Sequence, residues 1–122
     1  MFFYSIAFWW AETVGIDTIV GGHNKDDIDS FPDCNEEFFK PLNSLVNNST
    51  YGSHKMSYKI LMPLSKLNKK QVIEEALRLN IPLELTWTCE KQEDIACGLC
   101  QSCKLRLNSF SKLDVSDPIN YK

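Results

Sequence analysis

Four of the five cysteines in this sequence fall within one stretch, Cys89-Glu90-Lys91-Gln92-Glu93-Asp94-Ile95-Ala96-Cys97-Gly98-Leu99-Cys100-Gln101-Ser102-Cys103, spaced C-x7-C-x2-C-x2-C. A C-x2-C step carries two sulfurs round one tight turn, within reach of a single ion. Gly98 lies inside that turn, where positive φ is expected and a Cβ would be penalised. The second C-x2 step and Cys89 complete four thiolates, the ligand number of a closed tetrahedral zinc site. Disulfides would suit a secreted chain, but Met1 is followed at once by Phe2-Phe3-Tyr4 with no basic n-region, so no signal peptide is legible. A redox C-x-x-C pair would leave Cys89 and one other cysteine unexplained. Iron in the same all-thiolate cage stays open on the residues alone; zinc is the default reading.

The totals bound the rest. At 122 residues the chain is expected to be one domain with a modest core. Its 43% hydrophobic and 24% charged residues are an ordinary globular balance. A formal charge of −3 argues against a nucleic-acid grip, which needs clustered Lys and Arg. No apolar run approaches the ~20 residues of a membrane span. Grouped thiols without a secretion signal predict a reducing, cytoplasmic setting.

The elements that must position these residues follow from pattern. Met1 to Val14 reads as a helix with Gly15 as its C-cap, and its aromatics, Phe2, Phe3, Tyr4, Phe8, Trp9 and Trp10, predict burial on several sides. Either that helix sits at an interface or the chain before it is missing. Asp17 to Gly22 is a short apolar run closed by glycines, a buried strand. The polar loop from His23 to Ser30 would leave its C-terminal end, where open α/β folds bind ligands. A solvated acidic turn is the plain alternative.

Asp33 after Pro32, with Glu36 three residues on, predicts a capped helix from about Cys34 to Val46, bent near Pro41. Asn47 to Ser57 reads as a loop, and Tyr58 to Met62 as a strand stopped by Pro63. Asn68, with Gln71 at the box position, caps a helix whose buried stripe is Val72, Ile73, Ala76, Leu77 and Leu79. Ile81 to Thr88 is expected to be extended, Lys104 to Phe110 a short helix, and the polar tail from Ser111 frayed. The order predicts an α/β fold with a four-cysteine zinc knuckle near the C-terminus: residues 1–85 an α/β domain, 86–110 the zinc-binding lobe, 111–122 a tail.

The run Gly22, Asp27, Phe31-Pro32-Asp33-Cys34, Glu37-Phe38, Pro63-Leu64, Lys69, Thr86-Trp87-Thr88-Cys89 and Cys97-Gly98-x-Cys100-x-x-Cys103-x-x-Arg106 resembles the 7-cyano-7-deazaguanine synthase (QueC/ExsB) family. The match runs in order from about residue 1 to about residue 110, with the first two zinc cysteines about one residue closer than usual. The resemblance implies the C-terminal part of an adenine-nucleotide alpha-hydrolase-like fold. It also implies an ATP-dependent C–N ligase that converts 7-carboxy-7-deazaguanine and ammonia, by way of an amide, to the nitrile for queuosine or archaeosine. On that resemblance Cys89, Cys97, Cys100 and Cys103 bind Zn2+. Gly22, His23, Asp27, Asp33 and Cys34 line the substrate side, and ATP with Mg2+ is the nucleotide cofactor.

The sequence departs from the family where ATP should sit. A Ser-Gly-Gly-x-Asp-Ser loop, whose backbone N–H groups would cradle phosphate, is absent; the Gly21-Gly22 pair lacks the Ser and Asp context. The expectation is an N-terminally truncated chain, inactive alone. Its candidate partners are a second copy, as a homodimer, or the missing N-terminal half.

Weighed singly, Cys34 is either a small buried hydrophobe or a pocket thiol beside Asp33. Asp33 is expected to be a helix cap that also orients the cleft. Asp27 would accept a hydrogen bond from a purine-like amine or help hold Mg2+, against a plain surface carboxylate. His23 faces substrate or solvent. His54, Lys66, Lys69 and Lys70 carry little weight, and Arg106 is expected to pack near the zinc lobe. The alternative function is a non-catalytic zinc module, or half of a split enzyme, acting through a protein partner. A zinc-ribbon nucleic-acid binder is a third reading, opposed by the charge.

Overall fold

The computed structural model describes residues 2–28 and 31–122, which group into two compact units, Met1–Lys66 and Leu67–Lys122. It is a mixed α/β structure with a small parallel sheet. The expected helix start at Met1 and the loop end at Asp29-Ser30 lie outside the described residues.

In Met1–Lys66, helix α1 (Phe2–Val14) ends at Gly15, whose φ of +74° only glycine adopts freely. Strand β1 (Thr18–Val20) pairs in parallel with β2 (Lys59–Leu61), in the register Thr18–Lys59, Ile19–Ile60, Val20–Leu61. Parallel neighbours need a crossover, and α2 (Glu36–Ser49) supplies it. Phe39, Leu42 and Val46 recur on one face of α2 and meet Phe8 and Ala11 of α1 and Tyr58, which is 1% exposed. Phe8 and Tyr58 pack edge to face at 5.9 Å.

Three expectations in this unit are corrected. The cap of α2 is Asn35, not Asp33: Pro32–Cys34 first close a single 3-10 turn, and Asn35 Oδ1 then accepts the Phe38 N–H at 2.9 Å. Pro32 presets that turn, so the α-helix can start only after it. Helix α2 runs on to Ser49 because Asn47 and Asn48 donate to the Asn43 and Ser44 carbonyls four residues back rather than breaking the helix. Helix α1 is not buried on several sides. Phe8 and Ala11 are buried, while Phe2, Phe3, Trp9 and Trp10 are 57–82% exposed, because only one of its faces meets the sheet and α2.

In Leu67–Lys122, α3 (Lys69–Arg78) begins at the expected capping box: Asn68 Oδ1 accepts from the Gln71 N–H at 3.0 Å, and Gln71 Oε1 from the Asn68 N–H at 2.9 Å. Its buried stripe is narrower than expected, with Ile73 buried and Leu77 and Leu79 exposed. Residues 81–88 are not simply extended; Leu83–Leu85 form a 3-10 turn after Pro82. Helix α4 (Gln101–Ser111) packs on α3. It starts earlier than expected, inside the cysteine stretch. The tail is ordered, not frayed. The Ala96 N–H donates to Asn120 O at 3.0 Å and the Lys122 N–H to Ala96 O at 2.9 Å, so residues 119–122 pair with the cysteine loop.

Asn47 ties the start of β2 to α2: its Oδ1 accepts the Tyr58 N–H at 2.8 Å, and its Nδ2 donates to Tyr58 O at 2.9 Å. Asn47→Ala is expected to destabilise this unit by about 2 kcal/mol in urea unfolding, because two backbone groups lose their partners. Asn48→Ala, which loses only exposed bonds to Ser44, should stay within about 0.5 kcal/mol of the parent.

Candidate metal centre and strand-end cavity

The sulfurs of Cys89, Cys97, Cys100 and Cys103 lie within 4.8 Å of one another and can hold a metal ion. A tetrahedron with about 2.3 Å metal–sulfur bonds has edges of about 3.8 Å. Cys97 Sγ and Cys103 Sγ stand 4.0 Å apart, so the spacing fits. Local structure aims the sulfurs inward. Gly98 turns the chain at φ +68°. Cys100 caps α4 and Cys103 sits in its first turn, so both sulfurs stand at the positive end of that helix. Ala96, Ile119 and Tyr121 pack against the cluster.

Backbone N–H groups solvate the sulfurs. Cys97 donates to Cys89 Sγ at 3.5 Å, Leu99 and Cys100 to Cys97 Sγ at 3.4 and 3.3 Å, and Cys103 to Cys100 Sγ at 3.5 Å. The Cys97 N–H, with those of Lys91 and Gln92, pulls the Cys89 thiol down to about 6. The Glu90 and Cys103 N–H groups pull Cys100 down as well. Burial pushes the Cys103 thiol up to about 12, and its sulfur neighbours push the same way. Four thiolates this close therefore do not ionise together unless a cation offsets their repulsion, and a bound divalent ion does so.

Beside the cluster lies a group that composition did not disclose. Arg106, 3% exposed, makes a bidentate pair with Asp117, Nε to Oδ2 at 2.7 Å and Nη2 to Oδ1 at 2.9 Å. It also donates to Thr86 O, Thr86 Oγ1 and Leu83 O, which uses all five guanidinium protons. The Tyr121 hydroxyl donates to Asp117 Oδ2 at 2.6 Å. Burial alone would raise the Asp117 carboxyl, but these bonds and the Ile119 N–H hold it below its ordinary value. Arg106 shares a helix face with Cys103 and Phe110, three and four residues away. That spacing is the signal that an arginine there would be buried and paired. Nothing in the sequence marks Asp117 as its partner.

In the other unit, Gly22, His23 and Asp33 line a cavity of about 340 Å3 at the C-terminal end of β1, with Phe3, Tyr4, Ala7, Ile19, Val20 and Gly21 as walls. A Cβ on Gly21 would run into the Met62 sulfur and the Tyr4 hydroxyl, so a side chain there requires both to shift. Asp27 instead closes its own loop: its Oδ2 accepts the Asn24 N–H at 2.9 Å, opposite Asn24 Oδ1 on the Asp26 N–H. Cys34 is buried, with its Sγ 3.1 Å from His23 Nδ1. The five residues expected on the substrate side thus divide into three that line the cavity and two that stand apart from its lining.

The family profile for queuosine biosynthesis protein QueC matches residues 1–114. The chain belongs to the QueC family. It is 45% identical over 120 residues to the 7-cyano-7-deazaguanine synthase of Campylobacter concisus, covering 98% of this chain and 53% of that protein. The synthase of Sulfurimonas denitrificans is 45% identical over 119 residues, covering 98% and 52%. That of Aliarcobacter butzleri is 44% identical over 112 residues, covering 92% and 48%. The chain spans about half the length of the curated relatives it matches. Among the described residues no helix is long and apolar enough to cross a membrane.

Arg106→Leu leaves the Asp117 carboxylate buried without its partner. It should cost about 3–5 kcal/mol in denaturant unfolding of the Leu67–Lys122 unit, and Arg106→Leu with Asp117→Leu should recover much of that loss. A single variant as stable as the parent would show the pair to be dispensable.

Proposed function

We propose that the chain supplies the substrate side and the metal lobe of a 7-cyano-7-deazaguanine synthase with an adenine-nucleotide alpha-hydrolase-like fold. In this reading the carboxylate of 7-carboxy-7-deazaguanine is activated by ATP with Mg2+, takes up ammonia as an amide, and is dehydrated to the nitrile. The observation that carries it is the QueC-family match over residues 1–114. Gly22, His23 and Asp33 would meet the deazapurine, Asp27 would shape the loop, and Cys34 would stand behind His23. Cys89, Cys97, Cys100 and Cys103 would hold Zn2+ in a structural role, since four protein ligands leave no open position for substrate. Within Leu67–Lys122 the zinc lobe proper is residues 86–110. Five free thiols suit a reducing cytoplasm.

The 122-residue chain contains no Ser-Gly-Gly-x-Asp-Ser loop. Alone with ATP, Mg2+, ammonium and 7-carboxy-7-deazaguanine it should form no nitrile, but it should bind the deazapurine in calorimetry. Asp33→Ala should weaken that binding by about tenfold, the loss of one charge-assisted hydrogen bond. Robust turnover by the chain alone would overturn its reading as one part of the enzyme, and wild-type and Asp33→Ala proteins that bind alike would remove Asp33 from the substrate side.

Metal analysis should return about one Zn2+ per chain, reduced by Cys100→Ser. Thiols must lose their protons to bind, so protons compete with the ion and metal content should fall on acidification. A metal content unchanged at pH 4 would contradict this.

A second reading, action through a protein partner, is favoured by the exposed aromatic face of α1. The partner in that case is a polypeptide carrying the phosphate loop. Mixing the two and weighing the product by light scattering should give a stable complex, which Trp9→Ala with Trp10→Ala weakens.

A further inference from the structure

The strand-end cavity contains a contact that neither the metal lobe nor the loop geometry explains. Cys34 Sγ lies 3.1 Å from Nδ1 of His23, whose ring stacks on Phe39 at 5.7 Å with the Tyr4 ring 6.0 Å away. His23 lines the cavity; Cys34, 6% exposed, is not among the lining residues. Among the described residues, His23 Nε2 has no hydrogen-bond partner. A neutral imidazole carries one proton, and the partner at one nitrogen decides which nitrogen holds it.

We propose that Cys34 is a positioning residue: its thiol donates to Nδ1 of His23, so that Nε2 carries the ring proton and offers it to a carbonyl or carboxylate oxygen of the ligand in the cavity. The proposal rests on the substrate-side reading above and assigns His23 its part in it. Three features support it. Burial, then the Asp33 and Asp27 carboxylates, raises the Cys34 thiol, which therefore keeps its proton at neutral pH and has one to donate. A thiolate would instead hold the proton on Nδ1 and present a bare Nε2. Stacking on Phe39 and the nearby Tyr4 ring limit rotation of the imidazole, so a weak S–H donor suffices to select one tautomer. Finally, the neighbouring walls include the half-buried Ala7 and Ile19, and an N–H beside apolar groups counts for more than it would in water.

The tautomer is read directly. The sequence has only two histidines, so long-range 1H–15N spectra of the 15N-labelled 122-residue chain resolve His23 from His54. At neutral pH His23 should show the Nε2–H tautomer. Cys34→Ser, whose hydroxyl still donates, should keep it, and Cys34→Ala should give a mixture of tautomers. If Cys34→Ala fails to fold, the wild-type chain and Cys34→Ser decide. A proton on Nδ1 in the wild type, or an unchanged tautomer in folded Cys34→Ala, overturns the proposal.

Calorimetry with 7-carboxy-7-deazaguanine separates this from the reading beneath it. Cys34→Ala should weaken binding by about tenfold and Cys34→Ser should restore most of it. If the wild-type chain binds none, the substrate-side reading fails, while the tautomer still decides what Cys34 does to His23.

Discussion

Four sulfurs confined within 4.8 Å impose a charge problem on the whole of Leu67–Lys122. Each is a good ligand only as a thiolate, yet four thiolates at that separation repel one another strongly at low dielectric. The chain meets part of this with fixed dipoles: backbone N–H groups, those of Cys97, Leu99, Cys100 and Cys103 among them, point at sulfur, and Cys100 caps α4 so that its positive end faces the cluster. These dipoles suffice to draw Cys89 down but not to ionise the buried Cys103. A divalent cation would offset the remainder, and its binding would then add to the stability of so small a lobe.

Arg106 and Asp117 fasten the same lobe by different physics. Net gain from a buried ion pair is small, because desolvating two charges costs about what their attraction returns. The pair acts through direction. Arg106 reaches Thr86 and Leu83 before the cysteine stretch and Asp117 after α4, so one planar group fixes three segments at once. Asp117 in turn accepts from Tyr121, whose neighbours Asn120 and Lys122 pair with Ala96. The last residues are therefore ordered by a hydrogen-bond chain that starts on the helix face of Cys103.

Legibility in the sequence followed the range of each interaction. Features set by a few neighbouring residues were readable: the cysteine spacing, Gly98 in its turn, Gly15 after α1, and the Asn68–Gln71 box. The cap of α2 was misplaced by two residues because Asp33 and Asn35 are both good caps. Only the 3-10 turn after Pro32, a backbone event, gives the position to Asn35. The order of the tail was unreadable because its partners, Ala96 and Arg106, lie more than ten residues away. The candidate substrate residues show the same limit. His23 and Asp33 line the cavity, but the loop-closing bond of Asp27 and the contact of Cys34 with His23 depend on the folded loop.

The five cysteines show how far environment decides chemistry for one residue type. Four sit among N–H groups at a helix start, and Cys89, the most favoured, falls to about 6. The fifth, Cys34, sits among carboxylates and aromatic rings, where burial and negative charge drive it upward. The first setting makes a ligand for a cation, and the second makes a neutral donor. A thiol beside Asp33 and Asp27 is thus a poor nucleophile at neutral pH, and its nearest nitrogen acceptor is His23 Nδ1. On the proposed reading Asp33 would bring the charge to a ligand in the cavity, and the Cys34 thiol would set which nitrogen of His23 carries the ring proton.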